Sequence, residues 1–442
     1  MSNFSSISFL WFLAVFLTLY GLCPARYRRY LLLLSGLVFV WFSSWLDLGC
    51  IFGLTLANYL MGICIRRTAF RKEATAAAVA CNLILLIAFK LTGALPLGIS
   101  YYSFAFISYL VDISRRSMEP EYDPIRFANF SFFFPKLLMG PITRYGELGV
   151  HMDNPKPRLS CLQEGLESFV LGFIIKIFVV DRLAIFWNDL ITTGISCLHV
   201  SLAWAGAISF SMQLFLEWQS YSLMAMGIAG CLGYQLPQNF NYPYLSRSIG
   251  EFYRRWHITL GRWFKDYVYI PLGGSRQGTR RTVFNLLIVW FLTAIWHGPA
   301  LGWNFLLWGM SLGVFIVIEK LWLGPVLAEH RLLSHLWVLF LIPLTWVCFK
   351  FNNTAELAAY FARLFPFFGG ESIVGIDIVW LKLKKFGIYL ILGVLCCFPL
   401  PEQFVHRYGK TRIGSILLAV LFWWAVYELN RFGSNPMMYL DF

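Results

Sequence analysis

Apolar residues occur in long runs along the whole chain, and short polar stretches rich in Arg and Lys separate these runs. A helix that crosses a bilayer needs about 20 mostly apolar residues. The runs predict about eleven membrane-spanning helices, give or take two. Two are expected at 200–216 and 222–236, and another at 282–296. Because no internal repeat or long Pro/Gly/Ser linker divides the sequence, we interpret residues 1–442 as one membrane domain.

The composition supports this interpretation, with 58% hydrophobic, 18% aromatic and only 13% charged residues. Soluble domains carry about 25% charged residues. The values exclude a disordered, fibrous or disulfide-rich secreted protein. The predicted fold class is therefore an all-α polytopic membrane protein with added re-entrant and interfacial amphipathic helices. The ten Cys lie scattered through apolar runs without metal-ligand spacing, so no metal site is expected.

Positive charge follows the predicted topology. The formal net charge is +13, and the basic residues lie mainly in short loops. In membrane proteins such loops mark the cytoplasmic side and contact anionic headgroups. We therefore expect membrane lipid as a partner and no nucleic acid. Basic loops after the first, third and fifth predicted spans put the N-terminus outside the cytoplasm, whereas alternation is lost between residues 123 and 244, which indicates a re-entrant segment there.

The segment 245–281 is too polar to span, because it holds eight basic residues. Ser248 and Glu251 have the spacing of a capping box, which predicts a helix start, and Pro271 predicts its end. Between them, aromatic residues recur at helical spacing opposite a cationic face. The segment is predicted to be one amphipathic helix with His257 at the edge of its apolar face.

Two interpretations of this cationic face remain open. It anchors the chain on anionic lipid, or it receives an anionic, nucleotide-linked or phosphopantetheine-linked donor. The cations of this face are Arg247, Arg254, Arg255, Arg262 and Lys265. Asp266 is expected to pair with Arg262, four residues earlier.

His297 follows the uncharged run 282–296 and precedes Gly298-Pro299. A helix that starts near Thr282 rises about 22 Å by His297, beyond the midplane of a hydrocarbon core about 30 Å thick. An ionisable group at that depth suggests function, although a structural histidine bonded to a neighbouring hydroxyl or carbonyl is the alternative. An imidazole can take a proton from a hydroxyl group. Since no Ser or Cys nucleophile motif is present, general-base acyl transfer through a tunnel fits both histidines.

Several ordered motifs carry a family resemblance. The segments at 239–244 (NFNYPY), 252–258 (FYRRWHI), 266–274 (DYVYIPLGG) and 296–298 (WHG) resemble the membrane-bound O-acyltransferase superfamily, in particular its bacterial alginate O-acetyltransferase branch. The blocks at 97–102 and 134–145 and the tail at 439–442 are also similar to that branch. The strong similarity covers about residues 95–300.

The resemblance implies a reaction and its site. His297 matches the catalytic histidine of the superfamily, and His257 matches a second histidine of bacterial members. Helices would surround a tunnel that joins a cytoplasmic acyl thioester donor to an extracytoplasmic polysaccharide or teichoic acid. The donor would be a substrate, acetyl-CoA or a phosphopantetheinyl carrier protein, with no bound cofactor. The implied location is the bacterial cytoplasmic (inner) membrane, with an acyl-carrier protein or an extracytoplasmic acyltransferase as further partners.

Ten further residues are candidates for the donor site or tunnel: Arg144, Glu217, Asn239, Asn241, Tyr244, Arg254, Arg255, Trp256, Asp266 and Trp296. Glu217 is expected to face a cavity or to pair with Arg144, and Arg144 to bind a phosphate or a carboxylate. Lys176 is expected to snorkel towards the interface. The block 217–223 (EWQSYSL) departs from the family pattern of roughly DFSGYSD, so alginate is not assumed as the substrate.

Two other functions remain open at this point. The chain is a D-alanyl transferase that modifies teichoic acid from a carrier-protein thioester, or a proton-coupled transporter whose histidines gate protons. Transporters usually show inverted repeats and paired intramembrane charges, and neither is visible in the sequence.

Overall fold

The computed structural model of the protein describes residues 4–93, 95–153, 155, 158–298, 302–368 and 373–433. Within these ranges the chain is helical and has no strand, which confirms the all-α prediction. Pro299 and the tail at 439–442 lie outside the described residues. Contacts divide the chain into two compact units, each composed of several segments. The interpretation of residues 1–442 as a single domain stays a prediction.

The first unit contains Met1–Phe173, Tyr221–Asn239 and Leu429–Gly433. Ser6 and Asp123 cap two of its helices by accepting backbone N–H groups, as short polar side chains commonly do at helix starts. Its core is rich in phenylalanine. The helices of this unit are Ile7–Leu22, Ala25–Trp41, Trp45–Arg67, Arg71–Thr92, Ile99–Ser114, Pro124–Ser131, Phe134–Leu137 and Tyr145–Leu148, the 3₁₀ turn Gly149–His151, and most of Leu159–Ile175.

The second unit contains Ile174–Ser220 and Phe240–Glu428. In its described residues, three π-helical turns interrupt the helices, at Lys176–Val180, Lys265–Tyr269 and Glu319–Leu323. Such turns are rare and occur frequently at functional sites. The remaining elements are the α-helices Asp181–Thr193, Val200–Cys231, Ile249–Arg255, Ile258–Phe264, Gly278–His297, Trp303–Ile318, Gly324–Glu329, Arg331–Lys350, Thr354–Leu364, Ile376–Cys396, Leu400–Tyr408 and Arg412–Phe432, and the 3₁₀ turns Ile195–Cys197, Pro243–Leu245 and Pro366–Phe368. The last residues of Val200–Cys231 and of Arg412–Phe432 belong to the first unit.

Among the described residues, six helices are long and apolar enough to cross a membrane, or seven if one bent pair is counted as a span. A multi-pass protein is therefore supported, and about eleven spans stays a prediction. The prediction of two spans at 200–216 and 222–236 is wrong, because one 32-residue helix, Val200–Cys231, runs through the first of these ranges and most of the second. The polar residues from Glu217 to Ser220 do not form a loop. They are buried within the helix, and Lys176 pairs with the Glu217 carboxylate.

The basic segment is not one continuous helix, which corrects the sequence prediction. The Ser248 hydroxyl accepts the N–H of Glu251 at 2.9 Å, so the predicted helix start is confirmed. The helix Ile249–Arg255 nevertheless stops before His257, which adopts the left-handed conformation with φ 43° and ψ 54°. For a residue with a side chain this backbone conformation costs about 1–2 kcal/mol. A second helix, Ile258–Phe264, then starts, and His257 is buried at the junction rather than lying at the edge of an amphipathic face.

The helix Gly278–His297 ends at His297, as predicted, and Gly298 is extended. It packs closely against Trp303–Ile318. A Cβ atom at Gly309 would lie 2.7 Å from Ala294 Cβ and 3.0 Å from the Trp290 carbonyl oxygen. Because only glycine fits this contact, Gly309 fixes the distance between the helix that carries His297 and its neighbour.

Candidate active site

His257 and His297 line one small cavity in the second unit. Its volume is about 20 Å³, which is enough for one water molecule. The other lining side chains are apolar or aromatic: Leu214, Trp218, Trp256, Trp346 and Phe349. Two polar imidazoles in an otherwise apolar pocket match the usual composition of a small-molecule site.

The hydrogen bond that His297 makes fixes its tautomer. Its Nδ1 lies 2.8 Å from the carbonyl oxygen of Thr293, one helical turn earlier. A carbonyl oxygen only accepts, so Nδ1 carries the hydrogen and Nε2 holds the lone pair of the neutral ring. The rings of Trp296 and Trp308 lie 4.4 Å and 4.9 Å from the imidazole, between centroids. They fix its orientation, and the ring is left only partly exposed.

His257 is 4% exposed, and neither of its ring nitrogens has a hydrogen-bond partner in the structure. Its ring centroid lies 5.3 Å from that of Trp218. Burial, together with the nearby His297, lowers the pKa of His257 to about 3. His257 is therefore a neutral imidazole at physiological pH, with one N–H and one lone pair available to a ligand.

Glu319 bonds to the first turn of the helix that leads to His257, although it is outside the cavity and is not among the residues singled out from the sequence. Its carboxylate accepts the N–H groups of Ile249 at 2.5 Å and Gly250 at 3.0 Å. It also accepts the indole N–H of Trp337 at 2.9 Å. A buried anion thus caps the first turn of the helix that leads to His257, and the dipole of this helix favours an anion at that end. An acidic residue at the end of the apolar run 303–318 was the available signal.

Glu217 belongs to a buried cluster of three charges. The Lys176 ammonium lies 2.6 Å from Asp181 Oδ1 and 3.2 Å from Glu217 Oε1. Lys176 and Glu217 are each 1% exposed, so the prediction that Lys176 snorkels is wrong. The ammonium stays inside because two carboxylates surround it, and an unpaired buried charge would be far costlier. The next residue along the helix, Trp218, lines the histidine cavity.

Gln219 is one of the positions at which the block 217–223 departs from the family pattern, and its side chain has a partner in the structure. The amide nitrogen of Gln219 donates to Glu402 Oε1 at 2.6 Å. Gln219 is 7% exposed, so this bond satisfies a buried amide. The change at Gln219 is therefore accommodated by a partner within the second unit.

The predicted basic face is exposed but only partly free of internal bonds. Arg255 pairs with Glu251 at 2.7 Å, and the N–H of Asn241 donates to the Arg255 carbonyl oxygen at 2.9 Å. Arg254 and Asn241 are exposed. Asp266 lies in the π-helical turn Lys265–Tyr269, and its pairing with Arg262 stays a prediction.

The remaining candidates lie in different places. Trp256 lines the cavity, whereas the Tyr244 hydroxyl donates to the Ser211 carbonyl oxygen at 2.7 Å. Arg144, at the start of Tyr145–Leu148, and the fully buried Asn239 belong to the first unit. Within the described ranges no three His, Cys, Asp or Glu side chains are arranged to hold a metal ion.

Comparison with known proteins gives this site a context. The sequence profile of the membrane-bound O-acyltransferase family matches residues 110–343. The chain is 32% identical to the "Probable alginate O-acetylase AlgI" of Pseudomonas putida, over 99% of this chain and 100% of the relative. It is 30% identical to a peptidoglycan O-acetyltransferase of Helicobacter pylori, over 73% and 71% of the two chains. It is 28% identical to a teichoic acid D-alanyltransferase of Streptococcus thermophilus, over 51% and 57%. The chain therefore belongs to the membrane-bound O-acyltransferase family and is a multi-pass membrane enzyme that transfers acyl groups to hydroxyl oxygens.

Proposed function

We propose that the protein transfers an acyl group, acetyl in the first instance, from a cytoplasmic thioester to a hydroxyl group of an envelope polysaccharide outside the cytoplasm. The relatives that carry the names of O-acetylases support the acyl group and the class of acceptor. The observation that carries the proposal is the bond from His297 Nδ1 to the Thr293 carbonyl oxygen, because it leaves Nε2 as the proton acceptor.

The proposed reaction needs one base and no covalent enzyme intermediate. His297 Nε2 removes the proton from the acceptor hydroxyl, while the hydroxyl oxygen attacks the carbonyl carbon of the thioester. The C–S bond breaks, the imidazolium returns the proton to the departing sulfur, and the products are an ester and a free thiol. The backbone acceptor at Thr293 stabilises the imidazolium that forms between these steps, because its partial negative charge faces Nδ1–H.

His257 would act at the thioester end. Its neutral ring can donate one N–H to the carbonyl oxygen as negative charge develops there. A neutral imidazole suits this role because it keeps one N–H to donate without carrying a charge into the apolar pocket. The absence of a hydrogen-bond partner on either nitrogen supports a role in binding a ligand rather than a purely structural one.

The exposed cations near the pocket would bind the anionic part of the donor. Three exposed cations precede the helix that carries His297. Arg254 and Arg262 lie in the helices Ile249–Arg255 and Ile258–Phe264, and Lys265 lies in the π-helical turn that follows these two helices. Acetyl-CoA and a phosphopantetheinyl carrier protein both carry phosphates that such a face attracts. We place this face on the cytoplasmic side of the inner membrane. The same proposal includes a tunnel between donor and acceptor, contact with membrane lipid, and an extracytoplasmic acyltransferase as a partner.

The test compares the envelope polysaccharide of cells that carry wild-type, His297→Ala, His257→Ala or His330→Ala protein at matched membrane levels. His330 is exposed and serves as the control. We expect ester content to fall by about 10²-fold or more with His297→Ala, to fall less with His257→Ala, and to remain unchanged with His330→Ala. Wild-type ester content in the His297→Ala cells would contradict the proposal.

A second candidate is D-alanyl transfer to teichoic acid, favoured by the match to a named D-alanyltransferase. Mass analysis of the acid released by mild base distinguishes the two reactions. Acetate supports the first proposal, and D-alanine, together with a co-purifying carrier protein, supports the second. Membership of an acyltransferase family leaves no reason to retain the transporter alternative.

A further inference from the structure

The carboxylate of Glu402 lies outside the histidine cavity and has no task in the proposed acyl transfer. Glu402 is in the first turn of the helix Leu400–Tyr408, which is bent by 73° from the preceding helix Ile376–Cys396. Its Oε1 accepts the amide N–H of Gln219 at 2.6 Å. Because Gln219 is only 7% exposed, this bond is largely shielded from water and holds both side chains in place.

The side chain of Tyr242 also hydrogen-bonds to Glu402. Burial and the neighbouring negative charge of Glu402 raise the pKa of the Tyr242 phenol, so the phenol stays protonated and donates this bond. The backbone of Tyr242 has the left-handed conformation, with φ 46° and ψ 64°. This conformation is costly for a residue with a side chain and persists where surrounding contacts hold it. The bond to Glu402 is one such contact.

The bond from Gln219 restrains one wall of the histidine cavity. The preceding residue, Trp218, lines that cavity, and its ring centroid lies 5.3 Å from that of His257. Both residues are buried within the long helix Val200–Cys231. At 3.6 residues per turn, a bond that fixes Gln219 also limits rotation of the helix about its axis. It therefore fixes the direction in which Trp218 points.

The bond from Tyr242 restrains the chain that leads into His257. The preceding residue, Asn241, donates its N–H to the Arg255 carbonyl oxygen at 2.9 Å. Arg255 is the last residue of its helix and lies two positions before His257. Tyr242 and His257 both have left-handed backbone conformations, and they lie on either side of the segment closed by this bond. A restraint on Tyr242 is therefore transmitted to the backbone next to His257.

We propose that Glu402 is a positioning residue for acyl transfer, because its two bonds hold the aromatic wall beside His257 and the chain that leads into it. Glu402 acts on the reaction only through these contacts. The inference rests on the proposed function in placing transfer at the histidine cavity, and it holds for either an acetyl or a D-alanyl donor. A displacement of about 1 Å near the reacting groups can lower the rate about 10²-fold, so loss of the bonds should lower kcat.

The experiment measures kcat and the KM for the donor with the full-length protein in detergent, well below its unfolding temperature. The donor probe is acetyl-CoA, or a D-alanyl carrier-protein thioester if the wild type proves to transfer D-alanine. Glu402→Leu removes the acceptor of both bonds. It should lower kcat about tenfold or more and change the KM less than about twofold, because the basic face is untouched.

Two matched variants separate this role from a general effect on structure. Glu402→Gln should retain most of the wild-type kcat, since its amide oxygen accepts the bond from Gln219 and its NH₂ group can donate to the Tyr242 oxygen. Gln403→Leu alters the next residue, which is exposed, and should match the wild type in both constants. Thermal unfolding of each sample shows that the compared proteins are folded at the assay temperature.

Two further variants divide the effect between the bonds. Gln219→Leu and Tyr242→Phe each remove one donor, and each should lower kcat by less than Glu402→Leu does. Neither should lower kcat further when combined with Glu402→Leu, because the bond is already lost. If Glu402→Leu does not fold, these two single variants decide.

Three results would overturn the proposal. They are a wild-type kcat in Glu402→Leu, an equal loss of kcat in Glu402→Gln, and a wild-type kcat in both Gln219→Leu and Tyr242→Phe. A rise in KM with unchanged kcat would likewise overturn it and assign Glu402 to donor binding. The proposed function fails by a different result, namely full transfer by His297→Ala.

Discussion

Replacement of Glu319 by Gln tests how the structure places His257. The carboxylate accepts three donors, from Ile249, Gly250 and Trp337. An amide has one acceptor oxygen, and its NH₂ group would face a backbone N–H. A hydrogen bond to a charged group contributes about 1.5–3 kcal/mol, and a charge at a partly buried helix terminus up to about 2 kcal/mol. The loss of one such bond and of the charge predicts a decrease of about 3 kcal/mol in the free energy of unfolding.

The substitution should also reduce activity, although Glu319 is outside the histidine cavity. The capped helix has only seven residues, and His257 follows its last turn by two residues. A displacement of about 1 Å at a reacting group can lower the rate about 10²-fold. We therefore expect acyl transfer by Glu319→Gln to fall at least tenfold, while donor binding to the basic face is retained.

The assay combines unfolding of the detergent-solubilised protein with transfer measured on the same preparation. Glu329→Gln is the matched control, because Glu329 is an exposed glutamate ten residues later in the chain. Glu319→Gln should unfold at lower temperature or denaturant concentration than this control. If the two variants match in stability and in activity, the carboxylate does not hold the helix, and the account of how His257 is placed is wrong.

Three further predictions concern other parts of the second unit. The folded-state pKa of His257, about 3, lies below its ordinary value of 6.5, so the unfolded chain binds the proton more tightly. The free energy of unfolding should therefore fall by up to about 1.4 kcal/mol per pH unit as the pH drops below 6.5. His257→Gln should flatten this part of a stability–pH profile. Lys176→Met should destabilise the protein by about 3–5 kcal/mol in a denaturant titration, because it leaves two buried carboxylates without a cation. Adding Glu217→Gln should recover part of the loss. If the destabilisations of the two single variants simply add in the double variant, the pairing is contradicted. Gly309→Val should cost about 1–3 kcal/mol and reduce transfer, whereas Gly387→Val, with no atom within 4 Å of its added Cβ, should have a much smaller effect on both.

The sequence predicted features that depend on local chemistry. The all-α class followed from apolar run length, and the start of the helix after Ser248 followed from a short polar side chain at its N-cap. The end of the helix at His297 was also predicted, because Gly298 and the following proline interrupt helical geometry. These features were accessible because each depends on residues close to one another in the sequence.

Features that depend on distant residues were not accessible in the same way. The polar block from Glu217 to Ser220 suggested an interruption, yet the helix continues because Lys176, 41 positions earlier than Glu217, lies against its carboxylate. His257 was placed on a helix face, whereas the structure gives it a left-handed backbone conformation among aromatic rings from other helices. Glu319 caps a helix 70 residues earlier. Helical periodicity carries no information about such pairs.

The two short helices on either side of His257 determine how late in biosynthesis the histidine cavity can form. Each has seven residues, and isolated helices of that length are not stable in water. The first depends on Glu319 for its cap, and the cavity beyond it needs Trp346 from the helix Arg331–Lys350. A nascent chain on the ribosome has already released both histidines before either of these supports has emerged. Completion of the histidine cavity is therefore a late event of biosynthesis, and a chain that stops before residue 346 would contain both histidines without the complete wall of their cavity.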